Sequence, residues 1–341
     1  MRKRKDYIIS LIALSIDVIL VFIGVLLYTK FPYFKTLLSE EVVSFIPILA
    51  GCFIACAFFH FSFDLFYQRK YISTSYKAFS FLFFLLKNLK KNSYTPIGKE
   101  YTNAFFITLV KLLFVPMMLQ FTINNFGALI NIVVNLDYNE IRSLDVFLLF
   151  NHHFYPLLLS ICFFVDTVIY LFAYLLYSKA LGNTVRSVET SFSGWLSVLL
   201  CYPPLNVVTG YFLPAKYNDY IFFWSEKSTF FIRILLLALI IIYTTATLNL
   251  GWKSSNLTNR GIVSHGVYSL VRHPAYIAKN LFWWITIIPV IPFYPSTIIY
   301  MAGVSFIYYM RVVTEERHLR KDPEYKSYCQ KVKYRFIPKV I

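Results

Sequence analysis

The sequence has few cysteines and glycines, the residues typical of disulfide-rich domains and flexible linkers. It has only five cysteines and 11 glycines in 341 residues, with no CxxC pair. The cysteine spacing therefore excludes a disulfide framework. Acidic residues are also scarce, since 17 Asp and Glu stand against 33 Lys and Arg, for a net charge of +16. No internal repeat, low-complexity linker or soluble domain is indicated.

The chain is instead rich in long apolar blocks. Hydrophobic residues make up 58% of it and aromatic residues 20%, which excludes intrinsic disorder because so much apolar surface requires burial. Blocks of about 20 apolar residues have the length of bilayer-crossing helices. Eight candidates cover residues 8–28, 42–67, 102–122, 156–177, 193–213, 229–250, 276–294 and 296–311. We therefore predict an all-α polytopic membrane protein with about eight transmembrane helices.

The basic residues predict the orientation of these helices. With the N-terminus in the cytoplasm, the cytoplasmic segments hold 25 Lys and Arg residues and the outer segments hold six, a strong positive-inside bias. Both termini are then cytoplasmic. Nucleic-acid binding explains the charge less well, because the cations flank apolar blocks and form no basic face with interleaved aromatics. The short apolar run within residues 71–91 predicts an interfacial helix.

A few polar residues fall inside or at the edge of predicted spans. Asp17, Asp64 and Asp166 are functional candidates, because an ionisable group in hydrocarbon is costly. The alternatives are a hydrogen bond between helices or a position near the membrane surface. The adjacent pair His152-His153 does not predict a metal site, since neighbouring helical residues diverge and no third ligand is evident.

One segment after the sixth predicted span carries a pattern suited to anion binding. It contains Arg272, His273 and Pro274 directly before the seventh span. Proline suits the first position of a helix and favours an extended conformation in the residue before it. The positive end of the helix would then face the cytoplasm beside a guanidinium and free backbone N–H groups. The alternative is that Arg272 and His273 are ordinary interfacial anchors.

A second polar element lies at the end of the eighth predicted span. The two last spans are joined only around Pro295, so they form an antiparallel hairpin that returns Glu315 and Glu316 to the membrane face of the first element. Asp322 and Pro323 then predict an N-cap and first turn of a short amphipathic cytoplasmic helix that ends near residue 333. The alternative for the two glutamates is solvated charge after a span.

Together these two elements resemble the signature motifs of a known family. The stretch G-x-Y-x-x-x-R-H-P-x-Y from Gly266 to Tyr276 resembles the first motif of isoprenylcysteine carboxyl methyltransferases and related phospholipid methyltransferases. The E-E-x-x-L stretch from Glu315 to Leu319 resembles their second motif, and it is followed by Tyr325, Tyr328, Ile337 and Pro338. The resemblance predicts a methyltransferase-like core over residues 245–341, after an N-terminal membrane region, residues 1–244, of unassigned role.

The resemblance implies an S-adenosylmethionine-dependent methyltransferase whose acceptor is a lipid or lipid-anchored molecule. The implied cofactor contacts are Tyr268, His273, Pro274, Tyr276, Glu315 and Glu316. Arg272 would hold the acceptor's anion, and the candidate catalytic residues are Arg272, Glu316 and Asn280. Attack on a sulfonium methyl needs positioning more than a general base when the nucleophile is already an anion.

The sequence departs from the family pattern in several places. Val267 stands where the family often has proline, and Ala278 and Lys279 replace small, glycine-like positions; Lys279 is expected to snorkel. The first six spans contain no motif for an acceptor, which leaves carboxylate, phosphate and amine open. Enrichment in Phe, Ile, Lys and Asn indicates a bacterial inner-membrane protein, where prenylated cysteines are not expected.

Two other functions remain open on the sequence alone. An NADPH-dependent lipid reductase of the sterol type needs a basic cluster for the 2′-phosphate, which Lys326, Lys331 and Lys333 could supply. A non-enzymatic lipid-binding or transport protein could also keep this scaffold. The intact RHPxY and EE elements argue against the latter.

Overall fold

The computed structural model describes residues 2–67, 69–91, 96–136, 143–176, 181–203, 205–206 and 218–339. These residues are mostly helical. The helices are α1 (Arg2–Lys30), α2 (Pro32–Leu37), α3 (Glu40–Phe66), α4 (Thr74–Lys91), α5 (Lys99–Val134), α6 (Val146–Leu149), α7 (Tyr155–Leu175), α8 (Phe192–Leu199), α9 (Glu226–Leu250), α10 (Pro274–Thr286), α11 (Ser296–Leu319) and α12 (Pro323–Lys331). A π-helical turn, Phe150–Phe154, joins α6 to α7. Two short strands, β1 (Ser187–Val188) and β2 (Thr258–Asn259), pair antiparallel.

Six helices in the described ranges are long and apolar enough to cross a membrane. They are Lys5–Lys30, Glu40–Phe66, Lys99–Val134, Val146–Leu175, Glu226–Lys253 and Ser296–Leu319. The predicted class, an all-α polytopic membrane protein, is confirmed. The chain is a multi-pass integral membrane protein.

The other two predicted spans differ from the structure. In the fifth, α8 ends at Leu199, and residues 204 and 207–213 lie outside the described residues. In the seventh, α10 has 13 residues, which cover only about 20 Å at ~1.5 Å per residue. Turns follow α10 because Pro289, Pro292 and Pro295 cannot donate helical hydrogen bonds.

Contacts divide the chain into two compact units, Met1–Gln120 and Phe121–Ile341. This division is one of packing, and the predicted functional boundary at residue 244 stays a prediction. In the first unit, the Tyr71 hydroxyl donates to Asp17 Oδ2 (2.7 Å), and the Tyr71 N–H donates to Ser10 Oγ (3.0 Å). Asp17 therefore holds the segment before α4 against α1.

In the second unit, α7, α9 and α10 share an apolar core. Its buried members are Tyr155, Leu159, Phe223, Leu236, Ile240 and Phe282. Asp166 on α7 accepts hydrogen bonds from Tyr243 Oη (2.7 Å) and Thr247 Oγ1 (2.5 Å) on α9. Its carboxylate thus joins two helices, which is one of the alternatives considered for it from the sequence.

We expect Leu236→Ala to lower the stability of the purified protein by about 2 kcal/mol or more, because Leu236 is 1% exposed and its truncation leaves a cavity. The matched control is Ile241→Ala, also on α9, where the side chain is 49% exposed. Thermal unfolding in detergent measures both variants. Equal midpoints would contradict this description of the core.

Candidate functional site

The two predicted motifs meet at one end of the α10–α11 hairpin. Tyr276 Oη on α10 donates to Glu315 Oε2 on α11 at 2.7 Å. Deeper in the hairpin, Trp284 Nε1 donates to Ser305 Oγ at 2.9 Å. These contacts pair the start of α10 with the end of α11, as an antiparallel hairpin requires.

A buried ion cluster around Glu316 anchors this end of the hairpin. The Glu316 side chain is 2% exposed, and its Oε1 lies 3.3 Å from both Arg272 Nη1 and His273 Nε2. Its Oε2 lies 3.3 Å from Arg320 Nη2 and 3.0 Å from Arg335 Nη2. One carboxylate therefore ties the loop before α10, the end of α11 and the C-terminal tail together.

The backbone before α10 is also held by the tail. Pro274 is the first residue of α10, and His273 before it is non-helical (φ −128°, ψ 59°). The Arg272 and His273 N–H groups donate to the carbonyls of Tyr334 (3.0 Å) and Arg335 (2.9 Å). These two N–H groups are thus not free for an anion. The expected anion site at the first N–H groups of the helix itself stays a prediction.

A cavity lies beside the ion cluster, between the segment after α9, the start of α10 and α12. Its empty volume, including the part open to solvent, is about 810 Å³. Its aromatic lining is Tyr170, Tyr268, Tyr276, Tyr325 and Tyr328. Its ionisable basic and acidic lining is Lys253, Arg260, Arg272, His273 and Glu315. The site is thus aromatic, with several cations and one carboxylate.

Two buried polar atoms of the lining residues lack a hydrogen-bond partner. Among the described residues, Tyr325 Oη and Arg272 Nε have no hydrogen-bond partner. Burial raises the pKa of Tyr325 far above its ordinary value, so the hydroxyl is protonated and available as a donor at neutral pH. Unsatisfied buried donors are costly, and a polar ligand in this cavity would relieve that cost.

The two adjacent glutamates lie in different surroundings. Glu315 is exposed and lines the cavity, whereas Glu316 is buried among four basic side chains and is not part of the lining. Adjacent helical residues point about 100° apart, so only one of the two can face a given site. Glu315 is therefore the glutamate that a ligand in this cavity would meet.

Asn280 and Pro274 lie away from the cavity lining. Asn280 Oδ1 accepts from Ser305 Oγ (3.1 Å) within the hairpin, one helical turn deeper than Tyr276. Pro274 is buried and acts through the position that it gives His273. Their predicted roles in catalysis and cofactor binding stay predictions.

Arg311 is a site residue that sequence reasoning did not assign. It is 6% exposed, donates to Asn256 Oδ1 (2.8 Å) and lies over the rings of Tyr276 (5.1 Å) and Tyr308 (5.4 Å). It lines a second cavity that shares Asn256, Tyr276 and Glu315 with the first. The sequence signal for this role was the position of Arg311 in the last apolar block, because an arginine buried in an apolar layer needs polar or aromatic partners.

The segment before α8 is a second missed element. Arg186 forms ion pairs with Asp322 (3.1 Å) and Glu324 at the start of α12, and Ser187 Oγ lies 2.8 Å from His318 Nε2. Asp322 also caps α12, as predicted, by accepting from the Glu324 N–H (3.0 Å). Burial opposes ionisation of Asp322, but its hydrogen bonds and Arg186 lower its pKa overall.

Comparison with known proteins adds one match. The model of a family described as "Protein of unknown function (DUF1295)" matches residues 214–335, a little over a third of the chain. The matched region contains the ion cluster and every residue predicted to bind cofactor. No curated protein and no solved structure matches the chain.

We expect Glu316→Gln to destabilise the protein by about 3 kcal/mol or more, because it leaves the Arg272, Arg320 and Arg335 charges without their shared carboxylate. Glu315→Gln is the matched control one residue away, on an exposed side chain, and should change stability by less than ~1 kcal/mol. Thermal unfolding compares them. A larger loss for Glu315→Gln would refute the cluster's structural role.

Gly266, the first residue of the G-x-Y-x-x-x-R-H-P-x-Y stretch, should not tolerate a side chain. Its φ is +60°, and a Cβ would lie 1.9 Å from Asn249 Oδ1, which accepts the Val267 N–H (3.0 Å). We expect Gly266→Ala to destabilise by about 1–2 kcal/mol. Gly303→Ala, where a Cβ meets nothing within 4 Å, should be neutral or slightly stabilising. Denaturant or heat unfolding distinguishes the two, and equal effects would rule out the close approach.

Proposed function

We propose that this protein is an integral-membrane methyltransferase that uses S-adenosylmethionine and acts on a lipid or lipid-anchored acceptor. The observation that carries the proposal is the meeting of the RHPxY and EE elements around one aromatic cavity, with Tyr276 and Glu315 in direct contact (2.7 Å). The active site would face the cytoplasm of a bacterial inner membrane.

The chemistry of the lining supports this cofactor. S-adenosylmethionine carries a carboxylate, an ammonium, ribose hydroxyls and a sulfonium cation. Lys253 and the unpartnered Arg272 Nε would bind the carboxylate, and Glu315 would accept from the ammonium or ribose. The faces of the tyrosine rings attract cations, and Tyr325 Oη offers a further donor.

The residues around the cavity would contribute position and charge. Bound S-adenosylmethionine would supply an electrophilic methyl group to the acceptor, with S-adenosylhomocysteine as the other product. An anionic oxygen needs no base for this step, so alignment of the two reactants supplies most of the acceleration. Glu316 acts as a positioning residue, because it holds Arg272 and His273 at the cavity wall.

The cations of the lining favour one competing function. Lys253, Arg260 and Arg272 together would also suit the phosphates of NADPH, the cofactor of a lipid reductase. Three lysines were predicted to bind the 2′-phosphate: Lys326, Lys331 and Lys333. They are exposed and do not line the cavity. Glu315 and the tyrosines are better suited to a cationic ligand.

Calorimetry of the detergent-purified protein tests the proposal. We expect S-adenosylmethionine and S-adenosylhomocysteine to bind, and Glu315→Gln and Tyr325→Phe each to weaken binding about tenfold, the loss of one charge-assisted or buried hydrogen bond. Ser327→Ala, an exposed position on α12, is the control and should bind as the wild type does.

Titration with NADPH in the same experiment separates the competing functions. Binding of NADPH without binding of the adenosyl compounds would replace the methyltransferase with a reductase. Binding of neither would favour a lipid-binding protein without catalytic activity.

A further inference from the structure

We propose that Lys279 is the anion-binding residue for the acceptor, so that the acceptor carries a carboxylate or phosphate and is not an amine. This inference rests on the proposed function and names the substrate class of the same site. It assigns to Lys279 the contact that the family resemblance implied for Arg272.

Lys279 lies one helical turn below the cavity. It follows Ala275 and Tyr276 on α10 by four and three residues, and both of these line the cavity. Residues at these spacings share a helix face. Lys279 therefore lies on the same face of α10 as these two lining residues, and its ammonium contacts α9 through Tyr243.

The ammonium of Lys279 is placed on aromatic rings and not on a carboxylate. Its Nζ lies 4.9 Å from the centroid of the Tyr243 ring and 5.2 Å from that of Trp283. Among the described residues, no carboxylate forms an ion pair with it and no acceptor takes its hydrogen bonds. Its three donors are therefore available to a bound anion.

Asp166 and Asp219 act on the Lys279 ammonium electrostatically, and neither is within ion-pair distance of it. Asp166 also holds the neighbouring ring in place. Its two oxygens already accept hydrogen bonds from Tyr243 Oη and Thr247 Oγ1. Tyr243 thus presents its hydroxyl to Asp166 and its ring to Lys279, so that α7, α9 and α10 fix the cation together. A lysine in an apolar layer is costly, and a lipid anion would offset that cost.

Arg272 is less suited to this contact. Its Nη1 lies 3.3 Å from Glu316 and donates to Cys329 Sγ (3.2 Å), and its Nη2 donates to the Lys333 carbonyl (3.4 Å). Only its Nε is unpartnered. With Lys279 on the acceptor, transfer of a methyl cation to a carboxylate forms the carbon–oxygen bond, breaks the methyl–sulfur bond and yields an uncharged ester that Lys279 no longer attracts.

Tryptophan fluorescence tests this inference, because Trp283 lies against Lys279. The probes are dibromostearic acid, its methyl ester and a brominated phosphatidic acid, added to the detergent-purified protein; the bromines quench nearby tryptophans. We expect half-quenching by the acid at about tenfold lower concentration than by the ester, the size of one charge-assisted contact. Preference for the phosphatidic acid over both would identify the anion as phosphate.

The variants assign the preference to one side chain. Lys279→Met should abolish the difference between acid and ester, Lys279→Arg should keep it, and Lys227→Met, at an exposed lysine at the other end of α9, should leave it unchanged. Equal quenching by acid and ester in the wild type, or a preference that survives in Lys279→Met, would overturn the inference.

Binding of S-adenosylhomocysteine to Lys279→Met separates this inference from the proposed function. We expect it to match the wild type, because Lys279 is not part of the cofactor cavity lining. Loss of cofactor binding in this variant would contradict the separation of the two sites. An anion preference in a wild type that binds no adenosyl compound would overturn the proposed function alone.

Discussion

The architecture of the C-terminal unit depends on the carboxylate of Glu316. A single buried charge is stable there only because Arg272, His273, Arg320 and Arg335 surround it. These partners come from the loop before α10, the end of α11 and the tail. The cavity beside the cluster therefore keeps its shape only while these three segments stay together.

Much of this arrangement could be predicted from the sequence. Apolar block length identified six spanning helices, and Asp322 and Pro323 correctly marked the start of α12. The pairing of the two motifs across a hairpin also followed from chain order. The length of the seventh span was overestimated, because three prolines follow α10 and prevent its continuation. Much of the predicted fifth span lies outside the described residues.

The remaining features depend on tertiary contacts that leave no local pattern. Glu315 and Glu316 are neighbours with identical side chains, and only packing decides which one faces the cavity. Arg186 meets Asp322 across more than a hundred residues, and no periodicity predicts such a contact. The partners of Arg272 were likewise hidden, since Cys329 lies in α12 and the Lys333 carbonyl lies just after it, and no sequence pattern pairs either with Arg272.

The short ladder between β1 and β2 has a consequence for how the gene can be divided. It fastens the segment around Ser187 to Asn259, while Arg260 donates to the carbonyl of Ala173 at the end of α7. A fragment that starts at residue 245 would retain both signature motifs but lose these supports. The motif-bearing region is therefore part of a larger folding unit. Recombination that transfers it alone would transfer the motifs without the segments around β1 and the end of α7 that support them.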